Sequence, residues 1–460
     1  MRTPYYPPLP LLRSLPRLSV LAAALLIAGA ASAAPEDVAA LKSGNLTPYG
    51  AERAGNKDGS IPAWDGKAPA TGGAGNAKRS DPFAADKPRL TITAANAAEY
   101  SAQLSDGTKA LLAKYPGFKL DVYPTRRSAV FPQAIYDQVA KNAARAKLIN
   151  DGLTVEGAYG GVPFPVPKNG HEAIWNHMLS YRGQVTSFVA DKYVMTAAGD
   201  QLLTSRQKTN LIYPFYDPAG SPEQFSGEWA RARIDITEPP ANAGQALMTV
   251  DYVDNFGKPK EGWQYLPGQR RVRKSPSIAY DTPDGSAAGL ANFDDVNLFI
   301  GSQDRYQMKL IGKQEVFVPY NNNGLMAKPI KDAIGKGTLN PDAVRWELHR
   351  TWVVEGTLRE GKRNTAAKRR FYLDEDTWQA VLTDSWDAQG KLWKTGQAFT
   401  LVAGDQPLAT TLSYAWFDLL AGGWVFAGAV NETGGVAYRA FDSKQMANFS
   451  SAALASGGVR

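Results

Sequence analysis

Cysteine is absent from the 460-residue chain, and histidine occurs only three times. The first absence excludes disulfide scaffolds, thiolate zinc and iron–sulfur sites, cysteine nucleophiles and a lipidated cysteine anchor. The second leaves little for metal ligation or proton transfer. His171 and His177 lie six positions apart, about 240° around a helix, so they cannot share a metal as an i, i+4 pair does. Neither a G-x-S-x-G elbow nor a G-x-G-x-x-G fingerprint occurs. Gly356 to Arg363 approaches a phosphate loop, but Arg363 stands where Ser or Thr would hold magnesium, and the segment reads as a hairpin turn. The acidic clusters Asp294-Asp295 and Asp374-Glu375-Asp376 lack the ligand spacing of a calcium loop. These absences predict a protein that is not an enzyme and has no cofactor and no metal.

Long apolar runs are also scarce. Val20 to Ala30 is continuous but falls short of the ~20 residues that span a bilayer. It follows Arg2, Arg13 and Arg17 and precedes Ala31-Ser32-Ala33, the pattern of a secretory signal peptide. Residues 1–33 are therefore expected to be a leader cleaved after Ala33, delivering the protein to a periplasm. This compartment argues against nucleic acid as a partner.

What remains is ordinary for a folded protein: 44% apolar residues, 21% charged, and a net charge of +7. Residues 34–92 read as an irregular Gly/Pro-rich arm. Residues 93–182 read as a helical segment, with helices at Ala94–Lys114 (broken at Gly107), Gln133–Ile149 and Glu172–Tyr181. From residue 183 to 460 the period changes to 2, predicting an antiparallel sheet curved into an open half-barrel, with the helices packed over or beside it. Residues 93–460 are expected to form one unit. The clearest strand is Val344 to Arg359. Its even positions carry Trp346, Leu348, Arg350, Trp352 and Val354, and its odd positions Arg345, Glu347, His349 and Thr351. That alternation predicts a sheet packed on one side only. The turn Leu266-Pro267-Gly268-Gln269 predicts a hairpin, and Ser443 is expected to cap a short C-terminal helix.

Two sets of residues are candidates for function. Trp263, Tyr265, Tyr306, Met308, Leu310, Trp346, Leu348, Arg350, Trp352 and Val354 supply the apolar faces of strands expected to be neighbours. They are either a filled core or the walls of a ligand cavity, since periodicity is the same for both. Arg350 is the lone charge on its face, so an internal carboxylate or a ligand's anionic group must offset it. The second set is Arg270, Arg271, Arg273 and Lys274. It is read as a surface for an acidic partner or anionic lipid headgroups, or else as a solvated face.

Several segments resemble a known family. Glu52-Arg53-Ala54-Gly55-Asn56, Gly59 to Trp64, Gly160 to Pro165, Gly262-Trp263-Gln264-Tyr265-Leu266-Pro267, Arg345 to Arg350 and Lys368 to Trp378 are similar to motifs of the bacterial domain-of-unknown-function 1329 family. That family in turn resembles the outer-membrane lipoprotein-sorting carriers of the Lol system, LolA and LolB. The resemblance implies a mainly β half-barrel closed by helices around a cavity for acyl chains. It also implies a setting beside outer-membrane proteins and resistance-nodulation-type transporters.

The reading that results is a periplasmic, non-catalytic protein carrying a lipid or other hydrophobic molecule in a half-barrel cavity, with peripheral membrane contact. The rival is a structural adaptor of an envelope export complex, with no ligand cavity.

Overall fold

A computed structural model describes residues 35–457 except 74, 76, 276 and 277, so the leader and its cleavage motif lie outside the described residues. Four short strands come first: β1 (Leu90–Ile92), β2 (Leu120–Val122), β3 (Lys147–Ile149) and β4 (Thr154–Glu156). A first meander then runs through β5 (Val185–Met195), β6 (Gln201–Ile212), β7 (Glu228–Glu238), β8 (Ala246–Tyr252), β9 (Glu261–Leu266) and β10 (Arg271–Lys274). A second runs through β11 (Tyr306–Pro319), β12 (Trp346–Leu358), β13 (Lys368–Asp374), β14 (Ala380–Trp386), β15 (Leu392–Ala403), β16 (Leu408–Asp418) and β17 (Trp424–Ala429), followed by β18 (Ala437–Arg439).

Consecutive strands pair antiparallel within each meander, and β17 pairs with β5, which fuses the two into one sheet. The β1–β2 pair joins β12 through a parallel bridge at Trp346, and β18 adds to the edge of β5. The sheet does not close on itself, so it is the open half-barrel expected. At the seam the β17–β5 register shifts between Phe426 and Ala429. Gly428 takes φ +70°, where a Cβ would stand 2.6 Å from the Leu412 carbonyl oxygen. A bulge of this kind bends the sheet, and only glycine fits it.

Local chemistry sets the helices. Ser105 caps Asp106–Lys114 by accepting from the Thr108 N–H. The break therefore falls before Ser105 and not at Gly107. Gly107 lies in the first turn, where a Cβ would collide with Thr395 and Asp384 of the sheet. The predicted helix from Gln133 stops at Arg145, and residues 147–149 instead pair with β4. Asn169 caps Gly170–Met178. Asp442, not Ser443, caps the 3-10 turn Ser443–Asn448.

One large core holds Trp175, Tyr213, Trp229, Tyr306, Phe371, Trp378 and Trp416. A second holds Leu111, Phe118, Trp346, Phe399 and Phe426. A small third core packs Val185, Ile212, Met248 and Tyr265 against Phe449 and Leu454 of the C-terminal segment. The expectation that the sheet is packed on one side only fails at β12. Its odd positions, Arg345, Glu347, His349 and Thr351, are buried too. The N-terminal region covers them: Arg345 pairs with Asp86 at 2.8 Å, and the Arg126 N–H donates to Glu347 at 2.7 Å. A polar strand face marks solvent only if no other part of the chain brings partners for it. Among the described residues, no helix is long and apolar enough to cross a membrane.

Candidate functional site

The concave face around the seam is not filled. A cavity of about 400 Å³ lies there, within the usual range of small-molecule sites. Strand registry sets its walls. Phe188 of β5, Thr209 of β6, Ile234 of β7 and Leu247 of β8 are successive cross-strand partners. Leu211, Ala232 and Ile236 extend the same face, and Tyr414 of β16 closes it across the seam. At the inner end stand Met178, Tyr213 and Trp229, where the cavity continues the helix-covered core. Phe188, Leu211, Ala232, Ile234 and Ile236 are only half-buried, so apolar wall is left in contact with solvent.

The lid is formed by residues 278–305 of the connection between the two meanders, which supply Ile278, Phe293, Val296 and Ile300 to the cavity. Two glycines receive it. A Cβ on Gly262 would come 2.8 Å from Ile278, and one on Gly396 would come 2.8 Å from Leu298. Polar contacts pin it as well. Lys192 pairs with Asp284, the Trp416 indole donates to the Asp295 carbonyl at 3.0 Å, and Arg369 pairs with Asp295 at 2.9 Å. Burial raises Asp294 beside that pair to about 7, against the pull of Arg369. Burial pushes His177 down to about 3, so it is neutral. It accepts from the Ala380 N–H through Nδ1 and donates to the Phe299 carbonyl through Nε2, both at 2.9 Å. His171 is likewise buried, against Gln303. Both histidines hold structure together and share no ligand.

None of the ten residues predicted as ligand-binding lines this cavity. Trp263 and Tyr265 face the C-terminal segment, while Gln264 between them faces the cavity rim. Tyr306, Met308 and Val354 are buried in the first core, with Leu310 packed against it, and Trp346 and Leu348 are buried in the second. Trp352 stacks on Trp378 at 6.0 Å. Arg350 finds an internal carboxylate, donating to Glu375 at 2.6 Å and to the Ala54 carbonyl at 2.7 Å. The cavity wall has a sequence signal of its own. Ala230-Arg231-Ala232-Arg233-Ile234-Asp235-Ile236 alternates strictly, and its even residues carry no aromatic ring to draw attention. Arg270, Arg271, Arg273 and Lys274 are exposed on the β9–β10 hairpin, where Lys274 pairs with Glu261.

His349, Asp374 and Asp376 bring donor atoms within 4.8 Å of one another. Protein cations already occupy this cluster. Arg127 takes both Asp376 oxygens, at 2.6 and 2.9 Å. Burial opposes charge on His349, yet Asp374 and Glu347 raise it to about 9, so it is an imidazolium. The group is an ion network that ties the N-terminal region to the sheet.

An open antiparallel half-barrel with a lidded apolar cavity is thus the class that fold and site define. The chain belongs to the family described as proteins of unknown function, DUF1329, whose model matches residues 91–455. It is 37% identical over 457 residues to the uncharacterized protein PA3922 of Pseudomonas aeruginosa, covering 96% of this chain and 98% of that one. Solved structures similar to it include a DUF1329 family protein from Desulfovibrio piger (15% identity, TM-score 0.42, covering 61% of this chain and 95% of that one). Another is a putative outer membrane lipoprotein-sorting protein domain from Vibrio parahaemolyticus (12%, 0.42, 62% and 97%). A third is the LolA superfamily protein NE2245 from Nitrosomonas europaea (11%, 0.35, 62% and 98%).

Proposed function

We propose that this protein is a non-catalytic periplasmic carrier that holds a lipid-like hydrophobic molecule under the 278–305 lid and passes it between envelope components. The observation that carries this reading is the cavity itself: about 400 Å³ with Phe188, Leu211, Ala232, Ile234 and Leu247 on its walls. Leaving that much apolar surface unfilled forgoes packing that a purely structural protein would use. The exposed arginines of the β9–β10 hairpin are proposed as the contact with an acidic partner or an anionic membrane surface. The ten residues singled out from the sequence are proposed as the rigid frame behind the cavity.

The mature protein, purified from its native periplasm, is extracted with organic solvent and the extract read by mass spectrometry. A stoichiometric lipid is expected. The stripped protein should bind the neutral fluorescent probe N-phenyl-1-naphthylamine, and Ile234→Trp, which fills the space, should abolish that binding. An empty extract together with no probe binding would overturn the carrier reading in favour of an adaptor.

A further inference from the structure

The charges around the cavity do not balance, and the imbalance has a location. Among the described residues lining it, Asp251 is paired with Lys260 at 3.1 Å and Asp284 with Lys192, while Arg231 pairs with Glu228. Arg182 lines the inner end, is 7% exposed, and forms no salt bridge among the described residues, the titratable groups that act on it being tyrosines. Its guanidinium is held by neutral acceptors only: Gln379 Oε1 at 2.8 Å, Thr411 Oγ1 at 3.1 Å and the His177 carbonyl at 3.4 Å. His177 itself is neutral, so it adds no countercharge. A buried guanidinium without an anion is costly, and a fold retains one only where something offsets it.

Two further polar groups of the lining are left without partners. The Trp229 indole N–H and the Thr209 hydroxyl are buried and make no hydrogen bond. Trp229 lies against Tyr213, with ring centroids 6.3 Å apart, and Tyr213 feels the field of Arg182. The inner end of the cavity therefore offers the Arg182 cation and the unused Trp229 N–H, with the unused Thr209 hydroxyl on the wall beyond, and among the described lining residues both carboxylates, Asp251 and Asp284, are already paired with lysines.

We infer that the cavity takes an acidic amphiphile, its anionic head, a carboxylate or a phosphate, bound by Arg182 beside Trp229 and its apolar chain lying along Phe188, Leu211 and Ile234. This inference rests on the carrier reading and specifies its ligand class. A guanidinium offers a planar fork to such a head, and charge-assisted hydrogen bonds are the strong ones.

The test uses the stripped mature protein and displacement of N-phenyl-1-naphthylamine by dodecanoate, dodecyl phosphate and dodecanol. One of the anions should bind about tenfold or more tightly than dodecanol, the worth of one charged hydrogen bond. Whichever of the two binds more tightly identifies the head. Arg182→Gln should bring the anion-to-alcohol ratio close to one, and Arg182→Lys should restore part of it. Equal binding of acid, phosphate and alcohol by the wild type would overturn this inference while leaving the carrier reading intact. No binding of any of the three would remove the carrier reading itself. If Arg182→Gln fails to fold, Arg182→Lys decides the matter: an anion-to-alcohol ratio reduced but above one, with dodecanol binding unchanged, is expected, and a ratio equal to that of the wild type would overturn the assignment to Arg182.

Discussion

The two meanders are built from the same element and put it to opposite uses. In the second, β14 is buried at every position, and β12 is buried on both faces. Its polar face is roofed by the N-terminal region and becomes an ion network of Arg127, Arg345, Glu347, His349, Asp374 and Asp376. In the first, β7 gives one face to the C-terminal segment, through Arg231 and Arg233 bonded to the Phe449 and Ala453 carbonyls, and leaves the other to the cavity. The second meander holds many of its buried charges in ion pairs, while Lys394 is met by the Gly289 and Leu290 carbonyls and Asp384 by the Thr395 hydroxyl. The other holds apolar wall without filling and a cation without an anion. Packed frame and open cavity therefore fall mainly in different parts of one sheet and meet where Leu412 and Tyr414 of β16 line the cavity.

The first test of that separation lies in the frame. Arg350→Leu should destabilise the protein by roughly 3 kcal/mol in urea titrations, because it removes the shortest ion pair of Glu375, which then keeps Lys313 at 3.0 Å, and leaves the Ala54 carbonyl without its donor. Binding of the neutral probe by the folded fraction should be unchanged. A loss of probe affinity without loss of stability would instead place Arg350 at the ligand.

Paired truncations come next. Phe371→Ala, in the filled half, should cost about 3–5 kcal/mol. Ile234→Ala should cost about 1 kcal/mol or less, since its neighbours already lack contacts on the cavity side. Equal costs would mean that both halves are packed alike and would break the comparison.

A smaller effect is expected at the lid. Asp294 is raised by burial to about 7, with Arg369 opposing and Asp295 and Asp281 reinforcing the shift. A carboxyl whose folded value exceeds its unfolded one contributes stability that is complete at acid pH and lost as pH rises toward and through 7. Amide exchange of residues 279–300, corrected for intrinsic rates, should therefore become less protected from pH 4 to pH 7.5. Asp294→Asn should flatten that dependence. Protection that increases with pH would contradict the assignment.

The smallest change in stability belongs to the hairpin. Replacing Arg270, Arg271 and Arg273 with Ser should alter it by less than about 0.5 kcal/mol. Sedimentation with anionic vesicles should weaken as it does on raising salt, because screening acts over about 8 Å at 0.15 M. Unchanged sedimentation would leave these arginines as a solvated surface.

The sequence revealed the sheet more readily than the site, for reasons visible in individual residues. Alternation at 344–359 and the turn at Pro267 found β12 and the β9–β10 hairpin because side-chain period and turn chemistry are local. Alternation also named the apolar face at 263 and 265, but not what covers it. Phe449 and Leu454, nearly two hundred residues later, cover that face, so Gln264 rather than its aromatic neighbours looks toward the cavity. The aromatic residues of β12 lie in a densely packed strand, whereas the unfilled space is bordered by modest residues such as Ala232 and Ile234. Arg182 carried no motif. Its meaning depends on the absence of a carboxylate in three dimensions, which no local pattern reports.

The seam between β17 and β5 also has a consequence in time. Met195 must wait for Trp424, and Val185 for Arg439, each more than two hundred residues further along the chain. Pairings so remote in sequence are slow to form. Until the last strands have emerged, β5 has one neighbour, and the receptor half remains an open ribbon with its apolar face bare. A chain that completes its receptor last stays without a finished binding site until nearly its whole length is available.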